Sequence, residues 1–209
     1  MLTGAILAMV GGLLDAYTYL CRGGVFANAQ TGNIVLLGIK TAQGDFGGII
    51  HYIAPILCFI LGLLVSEAIG GRFKNHTKVH WRQIIILLEI LVLTAVAFIP
   101  GYNTASNCLV SFTCALQMQS FRKINGRAYA STMCTGNLRS ATEQLYAYKK
   151  TKDRTLLKHS LQYYAVCVFF VLGAALGVLL IHLFSQYAVL FGCLLLAAVF
   201  FIMFIKNEG

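Results

Sequence analysis

Two copies of the tripeptide Thr-Gly-Asn are the part of this sequence best suited to bind a small molecule. They lie at residues 31–33 and 135–137, and each comes just before a helical run. Threonine and asparagine can cap a helix by accepting hydrogen bonds from its first amides, and glycine lets the backbone approach a ligand closely. A helix N-terminus also carries a partial positive charge. Two such ends facing each other predict a pocket for a small anion or a polar solute.

Polar residues near the triplets could complete this pocket. Arg139 follows the second triplet by two residues and could pair with a substrate anion, with Asp15 or with Glu143. Asp15 and Glu143 are also candidates to carry a coupled proton, because acidic residues inside a membrane are costly and usually functional. Glu89 lies in an apolar run and could pair with a neighbouring polar helix. The residues predicted to bind the substrate are Thr31, Gly32, Asn33, Thr135, Gly136, Asn137, Arg139, Gln119 and Asn28.

These residues also have purely structural interpretations. Threonine and asparagine could cap or pack a helix without binding a solute. Arg139 could form a structural ion pair with one of the acidic residues. The sequence leaves both interpretations open.

Composition excludes most soluble functions. Of 209 residues, 58% are hydrophobic and only 11% are charged, whereas soluble domains carry about 25% charged residues. Lipid must therefore cover much of the surface, and the whole chain forms one membrane domain, residues 1–209. The net charge of +9 comes from short basic clusters between apolar runs, which predicts contact with anionic lipid headgroups and no nucleic-acid partner.

Nothing in the chain indicates an enzyme, a cofactor or a metal site. The seven cysteines form no Cys-x-x-Cys pair, and most lie in apolar runs as small buried side chains. We find no phosphate-binding loop, nucleophile elbow or His-Glu-x-x-His zinc motif.

Six stretches are predicted to span the membrane. A spanning helix needs about 20 mostly apolar residues. Two of the six stretches, the first and the fourth, are polar enough that they should line the interior. The stretches are Leu2–Leu20, Ile49–Gly70, Gln83–Pro100, Thr104–Phe121, Ser160–Phe184 and Tyr187–Ile205.

Two further stretches, Gly23–Lys40 and Gly126–Lys149, contain the triplets and are not simple spanning helices. If both re-enter and the N-terminus is inside, thirteen of the sixteen basic residues fall on the inside, which the positive-inside rule favours. The alternative topology, in which both stretches cross the membrane fully, stays open. The thirteen are Arg72, Lys74, Lys78, Arg82, Arg122, Lys123, Arg127, Lys149, Lys150, Lys152, Arg154, Lys158 and Lys206.

The triplets also indicate an internal repeat. Their offset is 135 − 31 = 104 residues, half of the chain, and at this offset Asp15 aligns with Gln119 and Asn28 with Thr132. Each half, about 1–100 and about 104–209, has three spans and one broken element. Because three is odd, the second half enters the membrane inverted, as in many transporters with a site at the midplane. The alternative is a bundle in which the triplets are packing motifs.

The sequence resembles the YoaK-like family of uncharacterised bacterial integral membrane proteins. The resemblance rests on Gly12-Leu-Leu-Asp15-Ala-Tyr17, Gly23-Gly24-Val-Phe26, Thr31-Gly32-Asn33-Ile-Val-Leu-Leu-Gly38, Ala115-Leu-Gln117-Met-Gln119 and Thr135-Gly136-Asn137-Leu138. It spans the whole chain and implies about six membrane segments and an inner-membrane location. It implies no substrate.

The sequence therefore predicts an all-α integral membrane protein with six transmembrane helices, two re-entrant or broken helices and a 3+3 inverted repeat. The predicted function is a small secondary transporter for a small anion or polar organic solute. A channel with the same pore elements and a non-transporting scaffold or sensor are the alternatives. We expect a multi-pass protein of the bacterial inner membrane with both termini in the cytoplasm. The Gly173-x-x-x-Gly177 pattern predicts close helix packing or a homodimer face.

Overall fold

The computed structural model describes residues 2–73, 81–101, 103–124, 127–128 and 134–207. In these ranges the fold is a bundle of eight α-helices with one pair of two-residue antiparallel strands, β1 (Lys123–Ile124) and β2 (Arg127–Ala128). Lys74, Lys78 and Thr132, which enter the predictions above, lie outside the described residues. The helices are α1 (Leu2–Cys21), α2 (Gln30–Ala42), α3 (Phe46–Phe73), α4 (Trp81–Ala97), α5 (Asn103–Ser120), α6 (Cys134–Thr151), α7 (Arg154–Phe184) and α8 (Val189–Asn207).

Each of the six predicted spans corresponds to one helix, and each stretch that contains a triplet forms a further helix, α2 or α6. By length and hydropathy, three stretches of the described chain can cross a bilayer: Leu2–Cys21, Phe46–Phe73 and Arg154–Met203. The last comprises α7, a short 3-10 turn at Ser185–Ala188 and most of α8. An all-α membrane protein is therefore confirmed at this level.

The two polar helices, α1 and α5, lie at the centre of the bundle. Leu7, Leu13 and Tyr17 of α1 are fully buried, and so are Asn107 and Ser111 of α5. By contrast, the most apolar stretches of α3 and of Arg154–Met203 are mostly exposed on the surface of the bundle. This is the distribution expected when lipid surrounds the apolar helices and polar helices face inward.

Hydrogen bonds at the two ends of α1 define its direction relative to α5. The side-chain amide of Asn107, near the start of α5, donates to the carbonyl of Arg22, just after the end of α1. The side-chain amide of Gln117, near the end of α5, donates to the carbonyl of Leu7. The two central helices therefore run in opposite directions. We call the two ends of the bundle the Arg22 end and the Ser120 end.

Two glycines let a central helix approach an apolar helix closely. A Cβ atom on Gly173 of α7 would lie 2.5 Å from the Cα of Met9 on α1, and one on Gly62 of α3 would lie 2.8 Å from the Cβ of Ala115 on α5. Neither distance is sterically allowed. The Gly173 pattern thus serves helix packing inside the chain, as in many membrane helix pairs.

Arg22 is buried at the Arg22 end of the bundle, although its side chain is charged. It is only 2% exposed. Its guanidinium donates to the carbonyl of Ile99 at 2.9 Å and of Val96 at 3.1 Å, and twice to the Tyr17 hydroxyl. The Val96 carbonyl belongs to the last turn of α4 and the Ile99 carbonyl follows it, and a cation is favourable beside such a helix end because the dipole is negative there.

We predict that Gly62→Ala and Gly173→Ala each lower the thermal stability of the purified protein by several degrees. An extra methyl group at either contact must push two helices apart, and overpacking costs about 1–3 kcal/mol. Gly71→Ala is the matched control, since a Cβ there meets no atom within 4 Å. Melting temperatures in detergent measure the effect, and equal values for Gly62→Ala and Gly71→Ala would contradict the prediction.

Candidate substrate-binding site

After α1 the chain turns back toward the interior of the bundle. Gly23 and Gly24 adopt positive φ angles of 86° and 81°, a conformation that other residues rarely adopt. His51 at the start of α3 holds the turn, with its Nε2 atom 3.0 Å from the carbonyl oxygen of Gly23. The residues from Val25 to Asn28 then lead inward along α1.

Asn28 reaches the middle of α1. Its backbone N–H donates to the carboxylate of Asp15 at 2.7 Å, and its side-chain amide donates to the carbonyl of Gly11 at 3.1 Å. Gly11 lies ten residues before the end of α1 at Cys21, which is about 15 Å along the helix. The non-helical segment of residues 25–29, which we call the first break, therefore lies beside the middle of the 20-residue helix α1.

Asn33 fixes the loop that leads into α2. Its side-chain oxygen accepts the N–H of Phe26 at 3.0 Å, and its side-chain nitrogen donates to the Phe26 carbonyl at 2.6 Å. The residue at the N-cap of α2 is Ala29, and no side chain caps this helix. The expectation that Thr31 and Asn33 cap α2 is thus wrong, because both lie inside its first turn.

The end of α2 lies beside the start of α3. Lys40 forms a 2.9 Å ion pair with Asp45 in the connecting turn, and Asp45 also accepts the backbone N–H of Gly48 at 2.9 Å. The Gly48 hydrogen bond is the main reason that the pKa of Asp45 is lowered, and the bond from Lys40 adds to it. With 13 residues α2 is about 20 Å long, too short to span a bilayer core.

The second triplet lies in the first turn of α6, which packs along α7 in the opposite direction. Ser160 donates to the carbonyl of Ala141 at 2.7 Å, and the thiol of Cys167 is 3.7 Å from the carbonyl oxygen of Cys134. α6 ends at Thr151, and Asp153 caps α7 by accepting the N–H of Thr155 at 2.8 Å. A hydrogen bond from the Thr155 side chain, together with this bond from its N–H, lowers the pKa of Asp153.

The two triplets have the same pattern of burial. Asn33 and Asn137 are buried, whereas Thr31 and Thr135 are exposed. A Cβ on Gly32 would lie 3.1 Å from the Phe26 ring, and one on Gly136 would meet no atom within 4 Å.

The structure brings some of the predicted site residues together and leaves others apart. Asp15 and Asn28 are bonded to each other, whereas Gln119 donates to Glu67 at the Ser120 end. Arg139 is exposed and pairs with Glu143 at 2.8 Å. This contact matches the structural ion pair that the sequence left open. In the described part of the chain α2 packs on α3 and α6 packs on α7, without extensive contact between α2 and α6.

Sequence reasoning did not assign three buried residues of α4 and α5 to the site. Cys114 of α5 is close enough to Asp15 and to Glu89 to be affected by their charges. Ser111 lies one turn before Cys114. Ser111 and Cys114 carry no charge that marks them in the sequence. Glu89 is an acidic residue in an apolar span, which was a usable signal.

A concave surface of about 560 Å³ lies elsewhere, at the junction of α6 and α7. Arg154 and Lys158 give it positive charge, and Tyr148 and Leu157 give it an apolar wall. It contains neither triplet, so it is separate from the candidate site.

The profile of a protein family described as "protein of unknown function (DUF1275)" matches residues 3–202 of the chain. The chain belongs to the DUF1275 family. It is also similar to the UPF0700 transmembrane protein YoaK of Bacillus subtilis (strain 168), with 25% identity over 179 residues that cover 81% of this chain and 79% of YoaK. No solved structure matches it. The predicted family resemblance is therefore confirmed, and the protein is a transmembrane protein of a family without an assigned function.

We predict that Asn33→Ala destabilises the protein. It removes both side-chain bonds to the Phe26 backbone, and each buried polar group left without a partner costs about 1–3 kcal/mol. Thr31→Ala is the control, because Thr31 lies in the same turn and is exposed. Melting temperatures should fall for Asn33→Ala only, and an unchanged value would mean that the loop does not depend on this side chain.

Proposed function

We propose that this DUF1275 protein is a small secondary transporter for a small anion or a polar organic solute. The observation that carries the proposal is the contact of Asn28 with Gly11 and Asp15, since it brings irregular backbone to the middle of a membrane helix. Irregular backbone at membrane depth is tolerated where it is buried in protein or lines a water-filled cavity. In transporters such breaks form the substrate site.

The proposal includes six transmembrane helices, two re-entrant segments and a 3+3 inverted repeat. The course of residues 23–42 supports a re-entrant first segment. The chain enters the bundle from the Arg22 end, and α2 ends beside the start of α3 at that same end. The second is supported by α6, which starts beside Cys167, 13 residues into α7, and ends next to the start of α7.

Helix packing supports the repeat. If each of the helices α1 to α4 is exchanged with its counterpart among α5 to α8, the pair α1–α7 becomes the pair α5–α3. These two pairs form the two most extensive helix contacts in the described chain. The pairs α2–α3 and α1–α8 likewise become α6–α7 and α5–α4. The glycine contacts follow the same exchange, since Gly62 faces α5 and Gly173 faces α1. The antiparallel course of α1 and α5 is the arrangement that an inverted repeat requires.

In this proposal the solute binds between the two triplets. No side chain caps the first turn of α2, which contains the Thr31 amide, whereas the Gly32 amide already donates to the carbonyl of Ala29. The first turn of α6 offers the amides near Thr135 and Gly136. A helix N-terminus suits an anion or a polar group. Arg139 and Gln119, which have acidic partners in this conformation, would reach the solute only after the helices rearrange.

The orientation follows from charge. The Arg22 end holds Arg22 and Lys40, whereas basic residues cluster at the Ser120 end, which the positive-inside rule assigns to the cytoplasm. Both termini would then be cytoplasmic in a bacterial inner membrane, because α1 starts and α8 ends there. The described basic residues at the Ser120 end are Arg72, Arg82, Arg122, Lys123, Arg127, Lys149, Lys150, Lys152, Arg154, Lys158 and Lys206.

We predict that Gly136→Leu abolishes uptake without unfolding the protein. A thermal-shift screen of small anions and polar organic solutes first identifies a ligand, because binding to the native state raises apparent stability. Uptake of that ligand into proteoliposomes is then measured. A side chain at Gly136 has room in the fold but would fill the proposed site, and we expect the initial rate to fall by about tenfold or more.

The control for this experiment is Gly38→Leu, which lies in α2 well past the first break and also meets no atom within 4 Å. It should transport normally. Full uptake by Gly136→Leu would exclude the proposed site. Uptake that does not saturate with solute concentration would favour the channel.

Reporter fusions test the re-entrant course of α2. Alkaline phosphatase fused after Gln43 should be active, because a re-entrant α2 returns the chain to the outside, whereas a fully crossing α2 would place Gln43 in the cytoplasm. Green fluorescent protein fused after Gly209 should fluoresce. An inactive phosphatase fusion on a normally expressed chain would mean that α2 crosses the membrane fully and does not re-enter.

A further inference from the structure

A cavity with both charged and apolar walls lies at the junction of α6 and α7. Its volume is about 560 Å³, which is in the range of small-molecule sites. The last turn of α6 forms one wall, and the first three turns of α7 form the other. We call it the α6–α7 cavity. It is lined by Tyr148, Arg154, Leu157, Lys158, Leu161 and Gln162.

Four of the lining residues share one face of α7. Arg154, Leu157, Lys158 and Leu161 are spaced at i, i+3, i+4 and i+7, and residues at this spacing are neighbours on a helix surface. The two cations lie toward the start of the helix, and Leu161 lies toward its long apolar part. The cavity wall on α7 is therefore positive at one end and apolar at the other.

No acidic side chain forms an ion pair with Arg154 or Lys158 in the part of the chain that the structure describes. The neighbouring carboxylate, Asp153, accepts the backbone N–H of Thr155 as the cap of α7. An arginine can bind a phosphate with two parallel hydrogen bonds, and a lysine adds a compact positive charge. The two cations therefore suit a phosphate group that comes from outside the chain.

The length of α7 puts the cavity at the level of the lipid headgroups. The helix has 31 residues, about 46 Å, whereas the hydrocarbon core is about 30 Å thick. Residues 165–184 contain no Asp, Glu, Lys or Arg and are long enough to cross this core. Leu161 and Lys158 come before this stretch, about 6 Å and about 10 Å outside the core. The phosphate groups of phospholipids lie in this layer.

From the cavity toward the membrane core, the same side of α7 is apolar and exposed. Leu161, Val168 and Leu172 are 59%, 57% and 51% exposed, and steps of seven and four residues keep them on one side of the helix. A phospholipid presents its groups in the matching order, with a negative phosphate near the water and apolar acyl chains in the core. A free inorganic anion would use only the positive end.

The surrounding charge favours an anionic lipid over a zwitterionic one. Residues 148–158 contain five basic residues and one acidic residue, Asp153. A basic segment beside a membrane helix attracts anionic lipids, and each lysine or arginine near the surface contributes to the attraction. The five basic residues are Lys149, Lys150, Lys152, Arg154 and Lys158.

We propose that the α6–α7 cavity binds one anionic phospholipid. Arg154 and Lys158 bind its phosphate, and an acyl chain lies along Leu161 and Val168. Because Tyr148 belongs to α6 and the two cations belong to α7, the bound lipid holds the end of α6 against α7. The site does not depend on the proposed transport, since none of these residues belongs to the proposed solute site.

The test measures the melting temperature of the purified, delipidated full-length protein in an uncharged detergent. Dioleoyl phosphatidylglycerol is compared with dioleoyl phosphatidylcholine, which has the same acyl chains and no net charge. Inorganic phosphate and glycerol 3-phosphate, which have a phosphate and no chains, are added at the same concentrations. We expect a saturable rise of about 5 °C or more with phosphatidylglycerol only, because a ligand of the native state raises its apparent stability.

Two double variants with the same loss of charge separate a site from general attraction. Arg154→Gln with Lys158→Gln removes two charges that line the cavity, and it should weaken the apparent affinity for phosphatidylglycerol by about tenfold or more. Lys149→Gln with Lys150→Gln removes two charges of the same segment that do not line it, and this variant should bind like the wild type. All four side chains are exposed, so we expect both variants to fold.

Four results would overturn the proposal. The first is a wild-type protein that does not respond to phosphatidylglycerol. The second is an equal response to phosphatidylcholine, which would mean that the acyl chains bind without the cations. The third is an equal response to inorganic phosphate or glycerol 3-phosphate, which would make the cavity a site for a free anion. The fourth is an equal loss of affinity in the two double variants, which would indicate general attraction of anionic lipid to the basic segment.

Discussion

The fold depends on one constraint, that a polypeptide backbone inside a membrane must find its hydrogen-bond partners within the protein. The segment between α1 and α2 has no helix to satisfy its amides, and side chains do so instead. Asp15 accepts the N–H of Asn28, and Asn33 binds both polar groups of Phe26. These two side chains make it possible for irregular chain to lie beside the middle of α1, and the polar character of α1 and α5 follows from the same requirement.

The outline of this fold could be predicted from the sequence because lipid imposes a simple pattern. Runs of about 20 apolar residues identified the exposed helices α3, α7 and α8, and the polar residues of α1 and α5 correctly indicated central positions. The helices that contain Asp15 and Gln119, α1 and α5, both lie at the centre and run in opposite directions.

The details of the site depended on contacts between distant parts of the chain, which a pattern does not contain. Asn33 looks like a helix cap in the sequence, yet it lies inside the first turn and binds Phe26. Arg139 looks like an anion ligand, yet a glutamate one turn away on the same helix neutralises it. Glu89 of α4 and Cys114 of α5 come to the same level of the bundle only because α4 and α5 pack in one particular register, and no local signal encodes that register.

The glycine contacts limit how this molecule can move. Gly62 lies against α5, and Gly173 lies against α1, so closely that neither contact leaves room for a Cβ atom. Each contact joins one helix from either half of the chain. A movement that separated the two sequence halves would therefore have to break both of these close contacts, whereas α2 and α6 pack on α3 and α7 within their own halves.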